Sequence, residues 1–315
     1  MDDLRNSLAA ALGSNYTLED ELVGGGMSRV FTARELALGR KVAVKVLPPE
    51  LGASLSIERF NREIVLSASL QHPHIVPVLS AGVAGDLPFY VMPFVEGESL
   101  RARLTRGPIS VREVVSILRD VSRALMYAHG RGIVHRDIKP DNILLSAGTA
   151  TVTDFGLAKA VMDARGPARA KQPAVSSITR IGTSIGTPAY MAPEQAAGDP
   201  SLDLRADLYA LGVVGYEMLV GTPPFHGRPP QQLLAAQLTE KPPPIEARRY
   251  DVPESLVQLL YRLLEKSPDD RPRSAAEVAR LFESPDIVSG AFASAKRTNK
   301  RSGALQWLVG LVKRS

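Results

Sequence analysis

Apolar and polar positions alternate most regularly near the start of the chain. YTLEDELV, RVFTAREL and KVAVKVL, between Tyr16 and about Leu47, repeat with a period of two residues. That period predicts antiparallel strands joined by turns, with Gly24-Gly25-Gly26 between the first two. From 56 to 70 the period lengthens: Ile57, Phe60, Ile64 and Ala68 recur at helical spacing and predict a helix. Two further strand-like runs follow in HIVPVLSAGV and LPFYVMPFV. After Gly97 helical patterns dominate, in VREVVSILRDVSRALMYAHG, the 203–220 segment, QQLLAAQL, SLVQLLYRLL and AAEVARLF. Residues 1–14 read as a preamble with a helical turn or two. Residues 162–185 read as a long loop, and 284–303 as a polar linker. The pattern is α+β, a small strand-rich part followed by a larger helical one.

Composition narrows the function classes. The 315 residues include no cysteine, which excludes a disulfide framework, a thiolate metal site and a cysteine nucleophile. The N-terminus MDDLRNSLAA is acidic and lacks the apolar run of a secretory signal. The apolar stretch LYALGVVGYEMLVG carries Glu217 and reads as a buried helix rather than a membrane span. The formal net charge of +5 resides in the tail, where 284–315 hold Lys296, Arg297, Lys300, Arg301, Lys313 and Arg314 against Asp286. Residues 1–283 are therefore formally neutral, which argues against a surface that tracks a nucleic-acid backbone.

The chemistry concentrates in His135-Arg136-Asp137-Ile138-Lys139-Pro140-Asp141-Asn142-Ile143-Leu144-Leu145. Asp154-Phe155-Gly156 follows, Val42-Ala43-Val44-Lys45 precedes it, and Ala192-Pro193-Glu194 lies downstream. On these motifs the chain resembles the eukaryotic-type protein kinases, in their bacterial-style serine/threonine branch, from about Tyr16 to Phe282. The resemblance implies a bilobal fold: an N-terminal antiparallel sheet lobe with one helix (about 16–95) and a larger, mostly helical C-terminal lobe (about 96–282). An N-terminal extension (1–15) and a basic linker with a short apolar tail (283–315) flank that domain.

The resemblance also implies roles. ATP and Mg²⁺ are the expected cofactors, with Asn142 and Asp154 as metal ligands and Asp137 as the carboxylate that orients the acceptor hydroxyl and receives its proton. Lys139 contacts the γ-phosphate. The residue types suit the chemistry, because phosphoryl transfer asks for positioning and charge neutralisation, and Mg²⁺ takes hard oxygen ligands while keeping several waters. Lys45 lies in an apolar strand, where an unpaired ammonium is costly to bury. It is expected to meet the α and β phosphates and Glu63 of the 56–70 helix, with Glu58 as the rival carboxylate.

The glycine-rich turn departs from the family. In Leu22-Val23-Gly24-Gly25-Gly26-Met27-Ser28-Arg29-Val30, Val23 stands at the family's first glycine and Ser28 at its third, while Gly25 keeps the middle position. Glycines there let backbone N–H groups approach phosphates. Val23 puts nucleotide affinity in question. Leu22, Val30 and Ala43 are expected above the purine and Leu144 below it, with Met92 behind. Val95 is the expected backbone donor, since Pro93 has no N–H.

Lys139, with Gly186-Thr187-Pro188-Ala189-Tyr190 before the Ala192-Pro193-Glu194 motif, implies serine/threonine protein substrates, Thr187 tying the substrate platform to Asp137 and Lys139. Asp207 is expected to anchor the catalytic loop and Arg271 to pair with Glu194. Arg136, Lys159 and Arg59 are expected to gather round a phosphorylated Thr183 or Ser184, with Thr179 next, so that autophosphorylation in 176–184 switches the enzyme on. Such activation brings in transient pairing of two copies. The expected location is cytoplasmic. The tail is read as disordered, as a helix docked on the catalytic domain, or as a weak peripheral contact with anionic lipid. Its nine-residue apolar run, Ala304 to Val312, would reach about 13 Å as a helix, short of a hydrocarbon core of about 30 Å. The rival function is a nucleotide-binding pseudokinase or scaffold.

Overall fold

The computed structural model describes residues 2–22, 28–47, 57–107, 109–155 and 188–291. Helix α1 (Asp2–Leu12) leads into strands β1 (Tyr16–Leu22), β2 (Arg29–Glu35) and β3 (Arg40–Val46), then α2 (Ile57–Ala68), β4 (Ser80–Ala84) and β5 (Leu87–Pro93). The five strands form one antiparallel sheet in the order β1-β2-β3-β5-β4. Because side chains alternate across a strand, the sheet has two separate apolar faces. Phe31, Ala33, Val42, Val44, Val46, Phe89 and Val91 line one face and pack against Leu8 and Leu12 of α1. Ala43, Tyr90 and Met92 line the other, against Phe60 and Ile64 of α2. Lys45 shares the parity of Ala43 and stands opposite Tyr90 across the β3–β5 ladder.

Two expectations change here. The preamble is not a turn or two but an eleven-residue helix, and its Leu8 is wholly buried. Leu4, Leu8 and Leu12 recur at i, i+4 and i+8, one stripe of a helix, and cover a sheet face that water would otherwise reach. The helix of the 1–15 extension thus packs on the sheet lobe from outside the 16–95 segment. The run HIVPVLSAGV yields a strand only from Ser80. Its first part instead forms a parallel bridge, Ile75 to Val152, with Val76 N–H donating to the Val152 carbonyl and Val152 N–H to the His74 carbonyl, both at 2.9 Å. This bridge ties the sheet lobe to the strand that delivers Asp154.

The second lobe begins with β6 (Glu98–Ser99), α3 (Leu100–Thr105) and α4 (Val111–His129), followed by the hairpin of β7 (Ile143–Ser146) and β8 (Thr149–Val152). Strands β6, β7 and β8 form a small sheet in that order. At the junction of the lobes a Cβ on Gly97 would lie 2.0 Å from the Leu145 carbonyl oxygen, so only glycine allows β6 to approach β7 there. After residue 187 come α5 (Pro193–Ala197), α6 (Arg205–Val220), α7 (Pro230–Thr239), α8 (Glu254–Leu263) and α9 (Ala275–Phe282). Helix α4 is capped by Ser110, whose side chain accepts from Glu113 N–H at 3.2 Å. Helix α6 is buried on all sides from Ala206 to Leu219. A Cβ on Gly215 would meet Leu260 of α8 at 2.5 Å and Leu118 of α4 at 3.1 Å, so this glycine sets how tightly three helices close. Among the described residues no helix is long and apolar enough to cross a membrane.

Candidate active site

The loop from Ile133 to Asn142 is fixed from below by one carboxylate. Asp207, in the first turn of α6 and 1% exposed, accepts from His135 N–H at 2.8 Å and Arg136 N–H at 2.7 Å, and contacts His129 Nε2 at 2.8 Å. Arg136 adopts a left-handed backbone, φ 66°, a conformation that costs a non-glycine residue of order 1–3 kcal/mol. Asp207 holds its amide, and Gln195 Nε2 holds its carbonyl at 2.9 Å. Burial alone would raise the Asp207 pKa. The hydrogen bond and charge of His129, then His135, outweigh burial and hold it below its ordinary value.

The loop turns Asp137 into the space between the lobes. Its Oδ2 lies 2.6 Å from Lys139 Nζ and 3.1 Å from Asn142 Nδ2, and its backbone N–H donates to His135 Nδ1 at 3.2 Å. His135 therefore carries its proton on Nε2, which donates to the Thr153 carbonyl at 2.9 Å. The His135 ring is fully buried and stands edge-on to Phe155, centroids 4.6 Å apart. Asn142 Nδ2 donates to both the Asp137 carboxylate and the Asp137 carbonyl, the latter at 2.8 Å, which leaves the amide oxygen as the group that can serve a cation. Thr153 N–H donates to the Asn142 carbonyl at 3.0 Å, setting Asp154 next to Asn142.

Asp154 also has a left-handed backbone, φ 69°. Its Oδ2 accepts from Lys45 Nζ, and its Oδ1 from the Tyr90 hydroxyl and, at 3.1 Å, from Thr153 Oγ1. Burial would raise its pKa, but the charge and hydrogen bond of Lys45, followed by the Tyr90 hydrogen bond, hold it below the ordinary value. Burial first, then the Asp154 charge, pushes the Tyr90 phenol well above its ordinary value, so it remains a donor. In this structure Lys45 is paired with Asp154. The β8 bridge brings Asp154 onto the sheet face that Lys45 occupies, and a carboxylate buried there is stabilised by the nearest cation. Glu63 is itself buried on α2.

Of the residues expected round a purine, all but Leu22 fall in one cluster. Ala43 and Met92 are buried, and Val30, Val95 and Leu144 pack on them partly exposed, so the cluster joins the first sheet to β7 of the second lobe. Leu22 lies exposed at the end of β1, and Ser28 is half-buried. Arg29 donates twice to Glu21, at 2.7 Å each, across the β1–β2 pair. Val23, Gly24, Gly25, Gly26, Met27, Lys159, Thr179, Thr183, Ser184 and Thr187 lie outside the described residues, as does the Arg59 side chain. Arg136 Nε is buried with no hydrogen-bond partner among the described residues. Both structural pairs read from the sequence are formed: Asp207 holds the loop, and Arg271 donates to Glu194 at 2.6 and 2.8 Å.

Comparison with known proteins settles the family. The model of the protein kinase domain matches residues 16–282. This chain belongs to the protein kinase family. The kinase is 42% identical over 274 residues to the serine/threonine-protein kinase PknB of Mycolicibacterium smegmatis, and 38% identical over 288 residues to the serine/threonine-protein kinase pkn2 of Myxococcus xanthus. These alignments cover 85% and 89% of the kinase but only 42% and 34% of the relatives, so it spans less than half the length of either. The crystal structure of the Mycobacterium tuberculosis PknI kinase domain superposes with a TM-score of 0.66 at 29% identity, covering 86% of this kinase and 96% of that chain.

Sequence reasoning missed three residues at the site: Tyr90, Thr153 and Ser67. Each is a hydroxyl outside the charged positions of the motifs. Tyr90 carried a usable signal, because it shares strand parity with Met92 and a buried phenol requires a partner.

Proposed function

We propose that this kinase transfers the γ-phosphoryl group of ATP to serine or threonine hydroxyls of proteins. The convergence of Asp137, Lys139 and Asn142 from one lobe with Lys45 from the other, beside Asp154 and the apolar cluster of Ala43, Met92 and Leu144, carries the reading. Val30, Ala43, Met92 and Leu144 offer apolar faces to a purine, and the Val95 amide a backbone donor to its edge. Asp154 and the Asn142 amide oxygen are hard donors suited to Mg²⁺, which keeps waters and phosphate oxygens as its other ligands. When bound, Mg²⁺ neutralises phosphate charge. Lys45 and Lys139 add fixed positive charge at the triphosphate, with Glu63 as the carboxylate that Lys45 meets once nucleotide engages it. Asp137 orients the acceptor hydroxyl and takes its proton as the new P–O bond forms and the β–γ bridge breaks, ADP carrying the displaced pair.

Regulation by autophosphorylation within 176–184 belongs to the same proposal. The buried Nε of Arg136, without a partner among the described residues, supports it, since a half-buried guanidinium is stabilised by an added anion. Residues 16–282 would form the catalytic unit, acting in the cytoplasm, with 283–315 as a tail. The rival reading, a nucleotide-binding pseudokinase, rests on Val23. Incubation with radiolabelled ATP, Mg²⁺ and a generic basic protein distinguishes them. Label should pass to substrate and to the 176–184 segment, and Asp137→Asn should lower transfer by at least about 100-fold, the scale of general-base loss. Nucleotide binding without transfer would give the molecule to the pseudokinase reading. Transfer without phosphate in 176–184 would remove the regulatory part alone.

A further inference from the structure

The polar contacts behind Asp154 come from residues that the kinase motifs do not include. Tyr90 lies in the middle of β5, 1% exposed, with its ring in the cluster of Phe60, Ile64 and Met92. Its hydroxyl extends past Lys45, its cross-strand neighbour, to Asp154 Oδ1. A carboxylate oxygen has two lone-pair directions. On Oδ1 both are taken, one by Tyr90 and one by Thr153 Oγ1. On Oδ2 one is taken, by Lys45, and among the described residues the other has no partner. From α2, Ser67 Oγ donates to the carbonyl of the next residue, Phe155, at 2.6 Å. A cavity of about 10 Å³, room for at most one water, lies among Ser67, Tyr90, Met92, Thr153, Asp154 and Phe155.

We propose that Tyr90 is a positioning residue for the metal: by fixing Oδ1 from the sheet side it makes Oδ2 the oxygen that Asp154 presents to Mg²⁺. The sign follows from competition with Lys45. Without the phenol, Oδ1 keeps only the weaker hold of Thr153, and the carboxylate can swing to place both oxygens on the ammonium, the geometry that a metal must then break. With the phenol in place, Lys45 meets Oδ2 alone and uncovers it when it turns to phosphate. The Tyr90 contact lies on the opposite oxygen and persists in either arrangement. Removal of an outer partner of a metal ligand costs about 10- to 100-fold in metal affinity.

The inference rests on the reading of Asp154 as a metal ligand, and the test keeps the two apart. Mn²⁺ is titrated into the full chain with a non-hydrolysable ATP analogue and followed by electron paramagnetic resonance. Binding of the same analogue in EDTA is measured in parallel by calorimetry. Tyr90→Phe should weaken Mn²⁺ at least about 10-fold while leaving metal-free nucleotide affinity at the wild-type value, the latter also reporting an intact fold. Unchanged or tighter Mn²⁺ binding overturns the proposal. So does an equal loss of metal-free nucleotide binding, which would make the residue structural only. Asp154→Asn serves as the control: if it retains wild-type Mn²⁺ affinity, the metal-site reading itself fails, whatever Tyr90→Phe shows.

Discussion

Single residues here matter most where charge is buried. The Arg271 side chain is 0% exposed, and its guanidinium donates to both Glu194 oxygens as well as to the carbonyls of Arg205, Glu265 and Lys266. Those carbonyls satisfy donors but neutralise nothing. Glu194→Gln keeps one acceptor and the side-chain shape while leaving the cation uncompensated, which costs about 3 kcal/mol, the lower end for breaking a buried pair. Urea unfolding followed by circular dichroism should show that loss. A loss below about 1 kcal/mol would mean that the carbonyls carry the site. This pair was legible in the sequence because both members sit in recognisable motifs. Lys45 was only half legible: a lone ammonium in an apolar strand announces that it has a partner, yet the carboxylates weighed from the sequence were Glu63 and Glu58, and the fold sets Asp154 against it. Ser67 gave no signal and Tyr90 announced only that it needs a partner, since each hydroxyl meets one 88 or 64 residues away that periodicity cannot name.

At the scale of elements, periodicity located the strands and most helices but could not weigh α1. The stripe Leu4, Leu8, Leu12 is present in the sequence, yet it precedes the matched kinase region, and a short helix gains most of its stability from tertiary packing. What it packs on is the second apolar face of the sheet, and that face follows from the alternation of Val42, Val44 and Val46 with Ala43 and Lys45. The run HIVPV failed the other way. Its composition reads as strand, but its backbone is spent on the bridge to Val152. Helix α1 is thus an integral part of the sheet lobe. Leu8→Ala should cost about 2–5 kcal/mol, as for a filled core position, and lower the thermal midpoint measured at 222 nm. An unchanged midpoint would show that α1 merely rests on the sheet.

At the scale of the whole molecule, one buried carboxylate joins the helical core to the chemistry. Asp207 meets α4 through His129 and the catalytic loop through the amides of His135 and Arg136, so the loop's left-handed turn is held by the helix most deeply buried in the second lobe. The folded pKa of Asp207 is depressed below 3.8, the value taken for the unfolded chain. Between those two values the unfolded state binds more protons, so stability rises with pH in that interval. The contribution is complete above about pH 5 and is lost as acid carries the pH down through the folded value. Asp207→Asn removes the charge and should therefore be less stable than wild type at pH 7, with a gap that stays constant to about pH 5 and closes below about pH 4. Urea unfolding at pH 7, 5 and 3 measures it. A gap of equal size at all three pH values would show that hydrogen-bond geometry, not the carboxylate charge, holds the loop. Because Asp137 and Asn142 are placed by that same loop, the variant should also lose phosphoryl transfer at pH 7 under conditions where it remains folded, and a folded variant with wild-type transfer would separate the anchor from the chemistry above it.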